Sequence, residues 1–256
     1  DEMSGPVLLD AIQKGFRWDL DRIITGSQDV SLMRSPIYTG MQSESWISRK
    51  HLEDLMTYKD RFGNAAIHHC IIHSRPEFMN ALLSAGANPN LQGMGGYTPA
   101  AIACSNNQYE CLCVLLDAKV DVNEIDESEW HLLHHCTSEG SKESLCELLS
   151  RDGCLLDHVS DKGYTPLMIA CIKGDCEMIF ELVAAGANCT IKHKRTEESA
   201  LNLATNKNAR DAMERGTIEM NIRRKKLDVE EAERNKYRSS LEKLQTEEET
   251  SPDSVK

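Results

Sequence analysis

Apolar residues occur in paired runs along the middle of the chain, and each run is spaced as one face of a helix. The clearest pair comprises Pro166–Cys171 and Met178–Val183, with a short polar stretch between the two runs. Thr165 predicts the start of the first helix, because its hydroxyl can accept a hydrogen bond from an unpaired backbone N–H. Gly186 predicts the end of the second, because glycine adopts a left-handed backbone at little cost. The pattern therefore predicts a helix-turn-helix unit.

This unit recurs along the chain with a period of 33 or 34 residues. The residues at the turn before each first helix form one marker: Gly63, Gly96, Glu129, Gly163 and Glu197. Apolar pairs, 19 and 20 residues after the turn, form a second marker: Leu82-Leu83, Leu115-Leu116, Leu148-Leu149 and Leu182-Val183. Two markers that hold phase over four units indicate a repeat architecture, in which each unit buries its apolar stripe against the next.

The repeated unit resembles the ankyrin repeat. The matching elements are Thr98-Pro99 and Thr165-Pro166 at helix starts, His68 and His134, and the helix ends Gly86-Ala87-Asn88 and Gly186-Ala187-Asn188. The resemblance implies an all-α solenoid of stacked helix-turn-helix units with hairpin loops, and a function in binding other proteins. The third unit departs most, because Glu129 replaces glycine and His131-Leu132 replace Thr-Pro. We expect local opening to concentrate in this unit and in the terminal caps.

The repeat phase divides the chain into five predicted segments. They are an N-terminal capping unit at 6–33, an insertion with a short helix at 34–59, ankyrin repeats at 60–213, a charged helical extension at 214–249 and a disordered tail at 250–256. The repeat segment holds four full units and a degenerate cap, Ser199 to Met213, which lacks the proline, the Gly-Ala pair and a clear hairpin. Two interpretations of the insertion remain open: Trp46, Leu52 and Met56 pack over the side of the stack, or they form a docking element.

The charged extension contains the basic run Arg223–Lys226, which acidic residues follow. Neither possible coiled-coil phase keeps apolar residues over successive heptads, since Lys236 interrupts one and Arg234 the other. We expect a solvated helix held by charge pairs four residues apart. Dimerisation through this helix, and a role of the basic run in nuclear import, remain less favoured alternatives.

The composition restricts the classes of function. A formal net charge of −12 argues against a nucleic-acid surface, which needs clustered Lys and Arg. No apolar run approaches the ~18 residues of a membrane span. The ten cysteines include no CxxC pair, and most lie in predicted helices, as small apolar residues do. We therefore expect reduced thiols, a cytoplasmic or nuclear location and a monomer.

Two similar stretches, His68–Cys70 and His134–Cys136, suggest a metal site at first sight. They lie two units apart, and stacked helices are spaced ~10 Å each, so the two sets are too distant to share an ion. In ankyrin repeats a histidine at this position bonds the backbone of the hairpin. A cysteine nucleophile is disfavoured because buried thiols are inert. The sequence predicts no catalytic residue, metal or cofactor.

The resemblance implies that a partner protein binds on the concave face, which hairpin tips and first helices build. We expect Trp130 and Tyr164 to contribute most, then Phe62 and Tyr97, because aromatic side chains are frequent hot spots. Alternatively, Tyr97 and Tyr164 pack on the adjacent hairpins. The remaining candidates are Arg61, His69, His135, Lys162, Ile169 and Lys173. The favoured function is a scaffold or adaptor; the alternative is a regulatory ankyrin domain cut from a larger enzyme or ion channel, in keeping with a first residue other than Met.

Overall fold

The computed structural model of the chain describes residues 5–14, 54, 56–151 and 153–249. Eleven α-helices and one short 3-10 turn, Met94–Gly96, have both ends within these residues, and Asp54, Met56 and Thr57 are also helical. The helices are α1 Gly5–Lys14, α2 Ala66–Ile72, α3 Pro76–Ser84, α4 Pro99–Ser105, α5 Tyr109–Asp117, α6 Leu132–Glu139, α7 Lys142–Leu149, α8 Pro166–Lys173, α9 Cys176–Ala185, α10 Ala200–Leu203 and α11 Lys207–Glu249. The described residues form no β-strand, so the predicted all-α fold is confirmed.

The helices stack in two rows. The first helices of the units pack in order, α2 on α4, α4 on α6, α6 on α8 and α8 on α10. The second helices form a parallel series, α3 on α5, α5 on α7, α7 on α9 and α9 on α11. Helix α1 packs against α2 and buries Leu8 and Ile12, as a capping helix does. The other residues of the predicted N-terminal unit, 15–33, lie outside the described residues.

The apolar markers form the core between the rows. Leu82, Leu115, Leu148 and Leu182 are all almost fully buried. Burying a side chain of this size stabilises the fold by about 1.5–3 kcal/mol. Because each leucine packs against its own unit and its neighbours, the stack as a whole supplies the stability that one helix pair lacks.

The predicted helix starts are confirmed. The hydroxyl oxygens of Thr98 and Thr165 accept hydrogen bonds from the N–H groups of Ala101 and Met168, each at 3.2 Å. Proline occupies the first helical turn after each threonine. In the third unit, Nδ1 of His131 takes the place of the threonine oxygen. The departure from Thr-Pro is thus compensated locally.

The last unit begins after a turn at the predicted marker position Glu197. In this turn, which precedes the predicted cap, the His193 N–H donates to the Glu198 carbonyl at 2.8 Å. The missing proline does not prevent the turn, because its hydrogen bonds come from the backbone. Helix α11 then runs unbroken through residue 213 and is about 64 Å long at ~1.5 Å per residue. Its buried residues, Ala209, Ala212, Met213 and Gly216, belong to the stack, whereas the residues from Asn221 to Lys236 are exposed in the charged extension.

From Asn221 to Lys236, every residue of α11 is exposed, as predicted for the charged extension. Charge pairs four residues apart lie within the predicted extension, Glu219 with Arg223 at 2.9 Å and Glu230 with Lys226 at 4.0 Å. Of the insertion, Met56 is buried in the core cluster, whereas Trp46 and Leu52 lie outside the described residues, as does the tail at 250–256. Among the helices of the described residues, none combines the length and apolarity that crossing a bilayer requires.

Candidate functional site

Five hairpin turns project from the described part of the stack, one before each of the first helices α2, α4, α6, α8 and α10. In each turn, a backbone N–H donates to a carbonyl four or five residues later, at 2.8–3.0 Å: Asp60 to Asn64, Gly93 to Tyr97, Asp126 to Trp130, Ser160 to Tyr164 and His193 to Glu198. In four of the five, the side chain of the opening residue also accepts from N–H groups inside the turn. The tips are therefore held rigidly by local bonds.

The five turn-marker positions identified in the sequence share one backbone conformation. All five marker positions have positive φ: Gly63 (81°), Gly96 (72°), Glu129 (55°), Gly163 (89°) and Glu197 (57°). A residue with a Cβ pays about 1–2 kcal/mol for the left-handed region. The two glutamates therefore occupy positions that favour glycine, and the rest of the turn holds them there.

Two Asp–His pairs fix which side of a first helix faces its hairpin. The Asp60 carboxylate lies 2.9 Å from Nε2 of His69, and the Asp126 carboxylate lies 3.1 Å from Nε2 of His135. Both histidines stand six positions after the turn marker. Residues three and four positions further along the helix share that side. We name this side, together with the hairpin tips, the binding face.

The two pairs differ in burial. The side chains of Asp126 and His135 are each 3% exposed, against 16% and 18% for Asp60 and His69. Burial favours a raised pKa for Asp60, but hydrogen bonds from the Asn64 and Phe62 N–H groups and from His69 bring that pKa below its ordinary value. For His135, burial lowers the pKa against the opposing effect of the Asp126 charge.

A histidine cluster lies behind the third hairpin. The rings of His131 and His134 are 4.6 Å apart, and that of His158 is 5.2 Å from His131. Nδ1 of His134 accepts from the His131 N–H, and its Nε2 donates to the Tyr164 carbonyl of the next hairpin at 3.1 Å. Burial lowers the pKa of His131 to about 4 and that of His134 to about 3. Both rings are therefore neutral at pH 7, and His134 connects its unit to the next hairpin, as the ankyrin resemblance implies.

The aromatic residues of the predicted site form a ridge that rests on histidines. Trp130 is half-buried, with its ring centroid 5.2 Å from His135 and 5.8 Å from His134. Tyr97 contacts His135 from the preceding hairpin at 5.3 Å, and Tyr164 contacts His193 of the following hairpin at 4.5 Å. Tyr97 and Tyr164 thus pack on neighbouring hairpins, as the alternative interpretation held, and each exposes only part of its ring.

The other predicted residues occupy three kinds of position. Phe62 is 52% exposed at a hairpin tip, and the Arg61 guanidinium lies 4.6 Å from the centre of its ring. Lys162 and Lys173 are exposed, while His69 and Ile169 are half-buried on the binding face. His135 is 2% exposed, so the expectation that its ring faces a partner is corrected: it supports Tyr97 and Trp130 from below.

The sequence analysis missed several exposed apolar residues, among them Ile72, Ile172 and Met94. Ile72 and Ile172 are 43% and 55% exposed, and both stand nine positions after their turn marker, Gly63 or Gly163. Met94, at the second hairpin tip, is also exposed. The sequence did contain a signal for the two isoleucines. They hold the same repeat position, and that position lies outside the buried apolar stripe.

Ser105, His135 and Asp126 form a hydrogen-bonded chain that resembles a hydrolase relay. Ser105 Oγ lies 3.0 Å from Nδ1 of His135, whose Nε2 contacts Asp126. However, Ser105 ends helix α4, where helix carbonyls and the negative end of the dipole gather. The next two backbone N–H groups, of Asn106 and Asn107, already donate to helix carbonyls. The hydrogen bonds of Ser105, His135 and Asp126 therefore connect two units, and the two N–H groups after Ser105 are not free to bind an oxyanion.

All ten cysteines are free thiols. Burial raises the pKa of Cys111 and Cys154 to about 11 and that of Cys171 to about 12. A thiol with so high a pKa holds its proton at neutral pH and is a poor nucleophile or metal ligand. Within the described part of the chain, no group of three or more His, Cys, Asp or Glu side chains is arranged to hold a metal ion.

A family model for ankyrin repeats matches three overlapping stretches, residues 46–126, 100–193 and 133–215. Together these stretches cover well over half of the 256 residues. The chain belongs to the ankyrin-repeat family. Ankyrin repeats are generally protein–protein interaction modules, and their fold is typically non-catalytic.

Several ankyrin-repeat proteins are similar in sequence. The B-cell lymphoma 3 protein homolog of Mus musculus is 31% identical over 127 residues, which are 48% of this chain and 28% of that protein. The target of rapamycin complex 2 subunit AVO2 of Saccharomyces cerevisiae is 32% identical over 124 residues, 47% of this chain and 28% of that protein. The matched regions thus span less than a third of either relative.

Two solved ankyrin structures share the fold. The ankyrin repeat domain of Bcl-3, a unique member of the IkappaB protein family, superposes with a TM-score of 0.65 at 22% identity, covering 82% of this chain and 85% of that one. The ankyrin repeat protein EF0377 gives a TM-score of 0.65 at 20% identity, covering 83% and 97%. These likenesses show the architecture and leave the partner to the surface residues.

Proposed function

We propose that this ankyrin-repeat chain is a non-catalytic scaffold or adaptor that binds a partner protein on its binding face. The observation that carries the proposal is the row of exposed apolar side chains on that face: Phe62 at a tip, and Ile72 and Ile172 on first helices. Burial of such side chains against a partner stabilises the complex by about 25 cal/mol per Å² of apolar surface removed from water. Ile72 and Ile172 hold the same repeat position in the first and fourth units, with Ser105 and Ser138 at that position between them, so a partner segment meets apolar contacts towards both ends of the face.

The rigidity of the hairpins supports the same function. Neighbouring tips are bonded to each other, since the Glu127 N–H donates to Gly95 and the Asp161 N–H to Ser128, each at 3.3 Å. Nε2 of His193 donates to the Lys162 carbonyl at 2.8 Å. A surface that is fixed before binding loses little conformational entropy when a partner docks.

A second candidate function is a regulatory domain of a larger enzyme or ion channel. The transient receptor potential cation channel subfamily A member 1 of Homo sapiens is 27% identical over 179 residues. That match covers 68% of this chain but 16% of the channel protein. In this setting the partner segment belongs to the same polypeptide, and the binding face serves the same purpose.

We further propose a monomer in the cytoplasm or nucleus that binds neither nucleic acid nor membranes. Ten free cysteines, five of them fully buried in helices, support a reducing compartment. A net charge of −12 opposes binding to nucleic acid.

The test compares partner capture from cell extract by the wild-type chain and by a Phe62→Asp, Ile172→Asp variant. These side chains are exposed, so their replacement leaves the fold intact, which circular dichroism verifies. A matched control, Ile218→Asp with Ile222→Asp, changes two equally exposed side chains on α11, away from the binding face. We expect the first variant to lose specific partners that the control retains. Partners that persist on the first variant and disappear from the control would place binding on α11.

A further inference from the structure

We propose that the partner segment is an extended peptide with a lysine or arginine at its centre and an apolar side chain on each flank. The cation sits over the third unit and the apolar side chains over the second and fourth. This inference rests on the proposed function, since it specifies which chemistry occupies the same face.

The first argument is the distribution of charge on the binding face. The third unit exposes Glu127 and Glu129 at its hairpin tip and Glu139 at the end of α6. None of these three takes part in a salt bridge between described residues. By contrast, Lys162 and Lys173 are exposed on the fourth unit. Uncompensated negative charge is thus concentrated at the centre of the face, where it attracts a cation.

The second argument is the aromatic setting of that charge. Trp130 and Tyr97 approach the ring of His135 from neighbouring hairpins, with centroids at 5.2 and 5.3 Å. Both residues are half-buried, so part of each remains accessible to a ligand. The π-face of an indole attracts Lys or Arg side chains, and Glu127 and Glu129 precede Trp130 in the same hairpin, so their negative charge adds to this attraction. The glutamates and rings therefore select a cation, where an aliphatic surface would not.

The third argument is the apolar character of the flanking units. Six positions after the turn marker, the second and fourth units carry Ile102 and Ile169, both half-buried, and the fourth adds the exposed Ile172. The third unit instead carries the buried His135, so the isoleucine row is interrupted where the acidic charge stands. Packed helices are ~8–10 Å apart, and an extended chain rises ~3.3 Å per residue. One unit thus corresponds to about three residues of the peptide.

The experiment uses a random peptide library displayed on phage, selected against the full chain at low salt. Enriched peptides are synthesised, and their affinities are measured by fluorescence polarisation. A binding-face variant replaces Glu127, Glu129 and Glu139 with Gln, which keeps side-chain size. A matched variant replaces Glu77, Glu110 and Glu143, exposed on α3, α5 and α7, and so changes the net charge equally. A third variant, Ile172→Ser, reports on the apolar contact.

We expect enriched peptides to share a lysine or arginine with apolar residues about three positions away on each side. Their affinity should fall roughly tenfold in the binding-face variant and remain in the matched variant, because the negative charge that attracts the cation is removed from the binding face. If the peptides lose affinity for Ile172→Ser but bind both glutamine variants equally, the proposed cation is wrong and the proposed function stands. If they also bind Ile172→Ser as tightly as the wild type, or if no peptide is enriched, the result contradicts both the peptide chemistry and the proposed binding face.

Discussion

Gly216 of the last helix touches Val183 of the last complete repeat. A Cβ atom placed on Gly216 would lie 2.9 Å from Cβ of Val183 and 3.0 Å from the Phe180 carbonyl oxygen. Such distances are shorter than side chains tolerate. The absence of a side chain at Gly216 therefore lets α11 lie close against α9, and this contact converts the start of a charged helix into the final layer of the stack.

Gly216→Ala is expected to destabilise the chain. Alanine favours a helix over glycine by about 1 kcal/mol, but overpacking at this contact costs about 1–3 kcal/mol and wins. Urea unfolding followed by circular dichroism measures the difference. Asn221→Ala, on the exposed part of the same helix, gains propensity without the clash and serves as the control. An equal or higher stability of Gly216→Ala would show that α11 does not need this close approach.

Glu129→Gly is expected to stabilise the third unit. Glu129 has a φ of 55°, where a residue with a Cβ is destabilised by about 1–2 kcal/mol. Glycine removes this strain, but it also gives the unfolded chain more conformational freedom, which offsets part of the gain in stability. The net effect should be about 0.5–1 kcal/mol in the free energy of unfolding. Glu129→Ala removes the same carboxylate but keeps the Cβ, so it separates backbone strain from charge. If both variants are equally stable, the strain at this position is negligible.

Asp126→Ala is expected to cost more stability than Asp60→Ala, although both carboxylates make the same set of bonds. Each accepts from two turn N–H groups and from a histidine. Water can replace the lost partner at the more open Asp60 pair, whereas Nε2 of His135 would be left buried and unpaired. We expect a loss of about 1 kcal/mol for Asp60→Ala and of about 2–3 kcal/mol for Asp126→Ala. Chemical denaturation of the two variants provides the comparison, and equal losses would contradict the role of burial.

The stability of the chain should fall as the pH is lowered from about 6.5 towards 4. His131 and His134 have folded pKa values of about 4 and about 3, below that of an unfolded histidine. In this window the unfolded chain binds protons that the folded chain does not, so acid favours unfolding. Each histidine contributes up to ~1.4 kcal/mol per pH unit. Urea midpoints across this range test the slope, which His131→Gln should reduce; a flat profile would mean that both rings accept protons while folded.

Much of the fold was readable from the sequence because its rules act within one unit. The turn marker corresponds to a left-handed backbone position, and Thr165 bonds the N–H of a residue three positions away. Leu82 and its equivalents are buried in every unit. Such features depend on residues close in sequence, so their spacing alone reveals them.

The candidate surface was only partly readable, because burial depends on the neighbouring unit. His69 and His135 hold the same repeat position and the same aspartate contact. Ser105 of the adjacent unit bonds the ring of His135, and Tyr97 and Trp130 cover it, which leaves that ring enclosed and His69 partly open. No pattern within a single repeat predicts those contacts.

The sequence by itself determined the period, the helix starts, the turns and the apolar stripe, since these are set by short-range sterics and hydrogen bonds. Only the tertiary structure decided which side chains at equivalent positions remain accessible and that α11 joins the stack through Gly216. The physical reason is that a repeat buries its apolar surface on its neighbours, so exposure is a property of adjacent units together.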